Sequence, residues 1–346
     1  MGGTTMTRMI KTLVSASILS TAMSFGAMAQ ETVLRMSNWL PPSHPIVRDM
    51  MIPWAEKLKE ASDGRIEVQI LDAPLGPPPA HFDLAANGAV DLTFGVHGYT
   101  PGRFTLTEIA EMPFLADTSE SLSVAFWRVF ESDLAQAEEH RGTKVLGVFG
   151  HGPGLLFTKG KPVSPLSELS GAKIRVAGNI TNKLAEAMDM VSIQAPSPQS
   201  YEILSGGIAD GIFFPVESVP FFKLETLVDK ALRVPGGLYN VSFFFVMNKA
   251  KFDSLSDEDK AAIEEVSGEA FSRMAGQAWD AADAAGMEVI GSTVDFHDAT
   301  EEELATLREK TQPMFDDLAK AYEAKGLDFD VVMGKLKDEI NAVAAE

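Results

Sequence analysis

Arg175 is the charged residue of this sequence that is best placed to bind a small anion. It lies near the carboxyl end of the short apolar run 172–176, which predicts a β-strand. A guanidinium in a covered parallel strand needs an anionic partner or an opening to water, and ligands of open α/β sheets collect at this edge. Its planar fork fits a carboxylate through two hydrogen bonds. An exposed edge-strand arginine and a structural ion pair are the alternatives.

Three histidines follow other predicted strands and raise the question of a metal site. His44, His97 and His151 could converge on one cleft with Glu217, but none has the close His-x-x-x-His spacing of a zinc site. We therefore predict no metal and no cofactor, with a metal-carrying protein as an alternative. The remaining histidines are predicted to lie on the surface: His81, His140 and His297.

The loop from Gly150 to Gly154 reads Gly-His-Gly-Pro-Gly and allows three interpretations. A dinucleotide loop has a different glycine spacing and a following helix, and neither is present in the sequence. An oxyanion hole would make the protein a periplasmic acyl hydrolase, but the sequence contains no Gly-x-Ser-x-Gly nucleophile elbow. The third interpretation, which we favour, is a tight crossover between two lobes, with His151 near the mouth of a cleft.

Residues 171–214 predict the elements that would position Arg175. Their pattern is strand, helix, strand, helix, strand, with Gly178 opening the first helix and Ser197 capping the second before a proline. Gly206 and Gly207 end that second helix. Two successive βαβ crossovers imply parallel strands in one sheet, with helices on its faces.

Residues 33–94 repeat this order and predict a second sheet. Gly88 ends a helix and Asp91 follows three residues later, as Gly207 and Asp210 do in the other stretch. We therefore predict two lobes of like topology that offer the carboxyl edges of their sheets to a shared cleft. Candidate ligand groups after the strands of the first lobe are Asn38, Trp39, Val96, His97 and Tyr99.

Seven short segments of the chain carry a family resemblance when they are taken together. They are Asn-Trp-Leu-Pro-Pro-Ser-His-Pro at 38–45, Tyr-Thr-Pro-Gly-Arg-Phe at 99–104, Glu-Met-Pro-Phe-Leu at 111–115, Lys-Ile-Arg-Val-Ala-Gly at 173–178, Ala-Pro-Ser-Pro-Gln-Ser-Tyr at 195–201, Gly-Ile-Ala-Asp-Gly at 207–211 and Val-Met-Asn-Lys at 246–249. In order and spacing they resemble the DctP-type solute-binding proteins, the extracytoplasmic receptors of tripartite ATP-independent periplasmic (TRAP) transporters.

This resemblance implies an α/β, two-lobed periplasmic-binding-protein fold, in which each lobe is a mostly parallel sheet flanked by helices and a long helix braces both lobes. Lobe I would comprise residues 30–152 and 240–279, and lobe II residues 153–239 and 280–346. The resemblance implies a receptor and not an enzyme, with a small organic acid and TRAP permease subunits as partners. Arg175 would hold the carboxylate. The other predicted ligand-binding residues are Phe214, His151, His97, Trp39, Asn38, Glu217 and Asn240.

Two departures from better-known members of the family bear on the ligand. Such members carry a second arginine where this chain has Gly154 or a close neighbour, and Gln-Glu-Asn-Pro where it has Ile-Phe-Phe-Pro at 212–215. Loss of a cation and an amide, with gain of the Phe214 ring, favours a ligand with one carboxylate and an apolar body. We therefore expect an aromatic or branched aliphatic monocarboxylate and not a small dicarboxylate.

The first 29 residues predict a signal peptide. Arg8 and Lys11 precede a weakly apolar run, and Ala-Met-Ala at 27–29 has the form of a signal-peptidase site, so we expect cleavage after Ala29 and a location in the periplasm. The chain has no cysteine for a lipid anchor or a disulfide. Its formal net charge of −20 disfavours nucleic acid and anionic membranes as partners, and we expect no direct membrane anchor.

The C-terminal third predicts long helices. Ser256 would cap one helix over 257–285 that ends at Gly286, followed by a strand at 287–290. Thr300 and Glu303 form a capping box for the next helix. In the resembling family the first of these helices braces both lobes.

Overall fold

Two β-sheets frame the protein, whose computed structural model describes residues 1–2 and 32–346. The strands are β1 (Thr32–Ser37), β2 (Ile66–Ile70), β3 (Leu92–Val96), β4 (Thr143–Gly150), β5 (Leu155–Thr158), β6 (Lys173–Val176), β7 (Val191–Gln194), β8 (Gly211–Phe214), β9 (Lys230–Arg233), β10 (Ser242–Asn248) and β11 (Asp295–Asp298). The helices are α1 (Ile52–Ala61), α2 (His81–Ala86), α3 (Ser119–Val129), α4 (Asn179–Ala187), α5 (Ser200–Ser205), α6 (Ser218–Phe221), α7 (Lys249–Asp253), α8 (Asp257–Glu265), α9 (Glu269–Ile290), α10 (Glu301–Glu323) and α11 (Phe329–Ala344). The predicted signal-peptide run and cleavage site lie outside the described residues.

The first sheet has the strand order β2-β1-β3-β10-β4, and the second sheet has the order β11-β9-β5-β8-β6-β7. In each sheet the strands of the βαβ units run parallel. One strand in each runs antiparallel to both of its neighbours, β10 in the first and β5 in the second. Each of these two strands follows a chain segment that crosses from the other sheet. The predicted α/β class with two sheets is confirmed.

The two sheets share the internal motif that the sequence suggested. Asp91 accepts the backbone N–H of Arg35 at 2.8 Å, and Asp210 accepts the backbone N–H of Lys173 at 2.9 Å. The glycine three residues earlier has a left-handed φ in both cases, 74° at Gly88 and 66° at Gly207. In each sheet the aspartate thus links the segment before the third strand of the βαβ units to the backbone of the first, and the glycine permits the turn before it.

Two crossover segments connect the sheets and are hydrogen-bonded to each other. The Gly154 N–H donates to the Tyr239 carbonyl at 2.9 Å, and the Leu238 N–H donates to the Gly154 carbonyl at 3.0 Å. The His151 N–H donates to the Val241 carbonyl at 3.3 Å. The loop at 150–154 is therefore a short interlobe connection that runs directly into β5, and no helix follows it.

Helix α9 braces both sheets, as the resemblance implied. Asp280 accepts the N–H of Ser119 at 2.6 Å beside the first sheet, and Asp283 accepts the N–H of Glu217 at 2.9 Å beside the second. One turn of α9 thus fixes the backbone on both sides of the cleft.

The predicted helix begins where expected, because the Ser256 hydroxyl accepts the Asp259 N–H at 3.1 Å and caps α8 at Asp257, but its continuity and its C-terminal end are wrong. Gly268, with a left-handed φ of 65°, separates α8 from α9, so residues 257–285 do not form one helix. Gly286 does not end α9, which continues to Ile290. A Cβ at Gly286 would lie 2.8 Å from the Cα of Glu217, so glycine serves close packing here. Residues 287–290, which were expected to form a strand, belong to α9, and the strand that follows the helix is β11 (Asp295–Asp298).

The C-terminal helices pack on the lobes. The predicted capping box is present, since the Thr300 hydroxyl accepts the Glu303 N–H at 3.3 Å and the Glu303 carboxylate accepts the Thr300 N–H at 2.9 Å. The Tyr322 hydroxyl of α10 donates to the Leu106 carbonyl at 2.6 Å. Helix α11 lies along α3 beside the first sheet. Within the described residues, no helix has the length and apolar character needed to cross a membrane.

Candidate ligand-binding site

A cavity lies between the two sheets. Its walls come from the segments after β1 and β3 of the first sheet, from β6 and β8 of the second, and from both crossovers and α9. Eight of its lining side chains are Phe, Tyr or Trp. Among the described residues that line it, Arg175 is the one permanently charged cation.

Arg175 lies on β6 with 1% of its surface exposed. Its Nε and Nη2 both donate to the carbonyl of Ala195, at 2.9 and 2.5 Å. Within residues 32–346, no carboxylate forms an ion pair with this guanidinium, and burial lowers the pKa of Arg175 below its usual value. A buried charge without a counter-ion is costly, so this arrangement favours a bound anion.

The Phe214 ring packs against the guanidinium of Arg175. The Cζ atom of Arg175 lies 4.8 Å from the Phe214 ring centroid. Phe222 stacks on the same ring, with a centroid distance of 5.5 Å and an interplanar angle of 20°. The cation and an aromatic wall are therefore parts of one packed unit, with a cation–π contact between them.

Tyr239 fills the space that a side chain at position 154 would occupy. A Cβ built on Gly154 would lie 2.3 Å from the Tyr239 ring. Gly154, at or next to which the family resemblance implies a second arginine in other members, is therefore packed against an aromatic ring that lines the cavity.

Two buried titratable groups, His151 and Glu217, also line the cavity. His151 Nδ1 donates to the Gly152 carbonyl at 2.5 Å, and burial lowers the pKa of His151 to about 4. Glu217 Oε1 accepts from the Ser218 hydroxyl at 2.9 Å. Burial, together with the nearby Asp283 carboxylate, raises the pKa of Glu217 to about 8. Burial therefore favours the uncharged form of both side chains.

Loops from the two sheets touch above the cavity. Gly98 follows β3 and Gly178 follows β6, and a Cβ on Gly178 would lie 2.8 Å from the Cα of Gly98. The Tyr99 hydroxyl accepts the Ser197 N–H at 2.8 Å, and Asn179 donates to the Glu108 carboxylate at 2.8 Å. These contacts join the lobes and describe a closed cleft.

The structure brings together five of the eight predicted ligand-binding residues and places three elsewhere. The five side chains that line the cavity are Arg175, Phe214, His151, Trp39 and Glu217. The three that do not are His97, Asn38 and Asn240.

His97 turns away from the cavity into the core of the first sheet. Its Nδ1 lies 3.0 Å from the Ser242 hydroxyl and its Nε2 lies 2.9 Å from His140 Nε2. The rings of Phe104 and Phe244 pack edge-on against it. The reason is that β10 pairs beside β3 and offers Ser242 as a partner. His140 was predicted to lie on the surface, and it is buried instead.

The side chains of Asn38 and Asn240 are used to hold loops. Asn38 Nδ2 donates to the Leu40 carbonyl at 2.5 Å, and Asn38 Oδ1 accepts the Leu40 N–H at 2.8 Å. Asn240, with its amide oriented to donate, bonds the carbonyls of Gly152 at 3.1 Å and His151 at 3.2 Å. Asn240 thereby shapes the crossover that carries His151. His81, another predicted surface residue, is buried against Thr93.

Sequence reasoning missed cavity residues that come from distant elements. Trp279 lines the cavity from α9, and Phe222 lines it from the end of α6. Trp279 lies on the helix that was predicted to brace both lobes, and this was the available signal. Neither residue follows a βαβ strand, so the rule that located Arg175 could not locate them. His97 and His44 do not share a site either, and the described residues contain no group of three metal-ligating side chains.

Residues 36–321 match the sequence profile of a family described as "DctP: Bacterial extracellular solute-binding protein, family 7". The chain belongs to the DctP family. One curated relative, named "Outer membrane transporter protein TsaT" from Comamonas testosteroni, is 30% identical over 299 residues, which is 85% of this chain and 88% of that protein. The membership confirms a solute receptor of the TRAP type and not an enzyme, so the acyl-hydrolase alternative is set aside.

Solved structures of DctP-family receptors share this fold. A TRAP solute-binding protein from Bordetella bronchiseptica, with bound (R)-mandelate and (S)-mandelate, is 39% identical with a TM-score of 0.88, over 90% of this chain and 99% of that one. A marine-metagenome TRAP solute-binding protein specific for aromatic acid ligands, in complex with 3-hydroxybenzoate, is 33% identical with a TM-score of 0.84, over 91% and 99% of the two chains.

Proposed function

We propose that the protein is an extracytoplasmic receptor that binds an aromatic monocarboxylate between its lobes and delivers it to a TRAP permease. The observation that carries this proposal is the buried Arg175 guanidinium, which has no ion pair within residues 32–346 and faces a cavity walled by aromatic rings. A single carboxylate would neutralise the cation, and an apolar body would pack on the rings.

The composition of the cavity supports one carboxylate in preference to two. Arg175 can balance one negative charge, the described lining residues include no other lysine or arginine, and a side chain at Gly154 would meet the Tyr239 ring. A second carboxylate would be buried near Glu217 without a counter-ion, at a cost of several kcal/mol by the usual penalty for a buried ion. An aromatic body would instead gain about 0.5–1.5 kcal/mol for each favourable ring contact.

We infer that ligand binding closes two lobes about the crossovers. The proposed lobes are residues 30–152 with 240–279, and residues 153–239 with 280–346. Arg175 would bind from lobe II while Trp39 would pack from lobe I, so the closed form would bind the ligand more tightly than the open form. The proposal includes export to the periplasm with cleavage after Ala29, and N-terminal sequencing of periplasmic protein would test that cleavage site.

A thermal-shift panel on residues 30–346 tests the proposed ligand class. The panel contains benzoate, phenylacetate, mandelate and 3-hydroxybenzoate, the carboxamides of the first two, and the dicarboxylates succinate and malate. A ligand at one hundred times its Kd stabilises the folded protein by about 2.7 kcal/mol, which raises the Tm by several degrees. We expect this rise with aromatic monocarboxylates alone.

The carboxamides are the matched control for the charge, because they keep the shape of the ligand. A comparable Tm rise with benzamide and benzoate would contradict the role of Arg175. A rise with succinate or malate alone would contradict the proposed ligand class while leaving a receptor for organic acids.

A further inference from the structure

Three polar atoms on cavity-lining side chains are buried without a hydrogen-bond partner. They are His151 Nε2, Glu217 Oε2 and Trp279 Nε1. A buried polar atom without a partner costs free energy, and native structures contain few of them. Three on one cavity therefore suggest a ligand group that satisfies them.

Whether each of these three atoms can donate or accept a hydrogen bond follows from its chemistry and from the bond that the other polar atom of its side chain already makes. A carbonyl only accepts, so the contact of His151 Nδ1 with the Gly152 carbonyl places the proton on Nδ1 and leaves Nε2 as an acceptor. The indole Nε1 of Trp279 is a donor only. Glu217 Oε1 already accepts from Ser218, and the protonated carboxyl presents Oε2 as a second donor.

One turn of α9 carries Trp279 and also contacts the backbone of the segments that carry His151 and Glu217. Trp279 and Asp283 are four residues apart on this helix, and the Asp283 carboxylate accepts the Glu217 N–H at 2.9 Å. A Cβ on Gly152 would lie 2.2 Å from Asp283 Oδ2, so the residue after His151 packs against the same carboxylate. The His151 and Trp279 rings lie 5.9 Å apart.

We propose that His151, Glu217 and Trp279 form a subsite for a hydroxyl group of the ligand, so that the preferred ligand is a hydroxylated aromatic monocarboxylate. This inference rests on the proposed function. A hydroxyl can donate to His151 Nε2 and accept from Trp279 Nε1 or from the carboxyl of Glu217, which no ammonium, ether or unsubstituted ring can do. Its carboxylate would bind Arg175, which lines the same cavity.

Trp39 is the matched control for Trp279. Both indoles line the cavity, but Trp39 Nε1 already donates to the Phe94 carbonyl at 3.1 Å. Trp279→Phe would remove an N–H that the subsite uses, whereas Trp39→Phe would remove one that belongs to the protein interior. His151→Phe would remove the acceptor and keep a ring.

Isothermal titration calorimetry on residues 30–346 tests the subsite with two ligand pairs that differ by one hydroxyl. The pairs are phenylacetate with mandelate, and benzoate with 3-hydroxybenzoate. We expect the hydroxylated member of at least one pair to bind about tenfold more tightly or better, since analogues that leave buried polar groups unpaired are strongly rejected. The ratio should fall below about threefold in His151→Phe and Trp279→Phe and persist in Trp39→Phe.

The outcomes separate this inference from the proposed function. Binding of both members of each pair within about twofold of one another would overturn the hydroxyl subsite and leave the proposed function intact. A ratio that survives in both His151→Phe and Trp279→Phe would also overturn it. Absence of binding by all four ligands would overturn both. If one variant does not fold, as judged by its Tm, the other variant decides the assignment.

Discussion

Replacement of Gly178 by alanine should weaken ligand binding without unfolding the protein. A Cβ at this position would lie 2.8 Å from the Cα of Gly98 and 3.2 Å from its carbonyl carbon and oxygen. These are backbone atoms, so no side-chain rotation can relieve the overlap. Gly178 has an extended backbone, with φ −154° and ψ −163°, which alanine also adopts, so the substitution causes no strain within its own residue.

The magnitude follows from where the overlap occurs. Gly98 and Gly178 belong to loops of different sheets, so separation of the lobes removes the contact and the cost falls on the closed form. Overpacking of this kind costs about 1–3 kcal/mol. If closure is required for binding, Kd should rise by roughly five- to 150-fold at 1.4 kcal/mol for each factor of ten.

Calorimetric titration with an aromatic monocarboxylate, paired with thermal unfolding of the unliganded protein, would measure both effects. Gly334→Ala is the control, because Gly334 lies in α11 and its Cβ would meet nothing among the described residues within 4 Å apart from its own helix backbone and chain neighbours. The helix gains up to about 1 kcal/mol from alanine. An unchanged Kd in Gly178→Ala, or a Tm loss without ligand that accounts for the weaker binding, would refute the closed-cleft reasoning.

Three further predictions concern stability. Because the folded protein raises the pKa of Glu217 from 4.5 to about 8, it holds a proton that the unfolded chain releases. The free energy of unfolding should therefore fall as pH rises from about 4.5 to about 8, by at most about 1.4 kcal/mol per pH unit for this group. Denaturant melts between pH 6.5 and 8 should show a smaller decline for Glu217→Gln than for the wild-type protein. His97→Ala should destabilise the fold by about 1–3 kcal/mol, because it removes buried hydrogen bonds to Ser242 and His140. The ligand Kd should stay within about twofold of the wild-type value. A large loss of affinity would contradict the assignment of His97 to the core. Gly286→Ala should lower the stability of the unliganded protein by about 1–3 kcal/mol, because the new Cβ forces α9 away from the Glu217 backbone. An unchanged Tm would show that α9 and the Glu217 segment can move apart without loss of stability.

The fold was largely predictable because its signals are local and repeated. The glycine and aspartate before β3 and β8 have the same spacing in the sequence and the same hydrogen bonds in the structure. Helix ends were less predictable, because a glycine in a helical stretch has several possible causes. Gly268 separates α8 from α9 with a left-handed φ, whereas Gly286 lies inside α9 and leaves space for the Glu217 backbone. Tertiary packing distinguishes them, and the sequence does not record it.

The candidate site was predictable only where it follows the strand-end rule. Arg175 and Trp39 come from strand ends and line the cavity, but His97 also follows a strand and is buried in the core. The His97 side chain packs in the core because β10, about 145 residues further along the chain, pairs beside β3 and provides Ser242 as its hydrogen-bond partner. Trp279 enters the cavity from a helix, through a contact between elements that no local pattern reveals.

The most direct test of the account is the Kd of Arg175→Met for the aromatic monocarboxylate that wild-type protein binds most tightly, measured by calorimetry. Arg233→Met is the control, because Arg233 lies on β9 of the same sheet and stacks on Phe296, but it pairs with Asp298 outside the cavity. Loss of a buried charged partner costs about 2–5 kcal/mol, so we expect Kd to rise at least about 30-fold in Arg175→Met and to stay unchanged in the control. A loss below about tenfold in a folded Arg175→Met protein would contradict the proposal that this guanidinium holds the carboxylate.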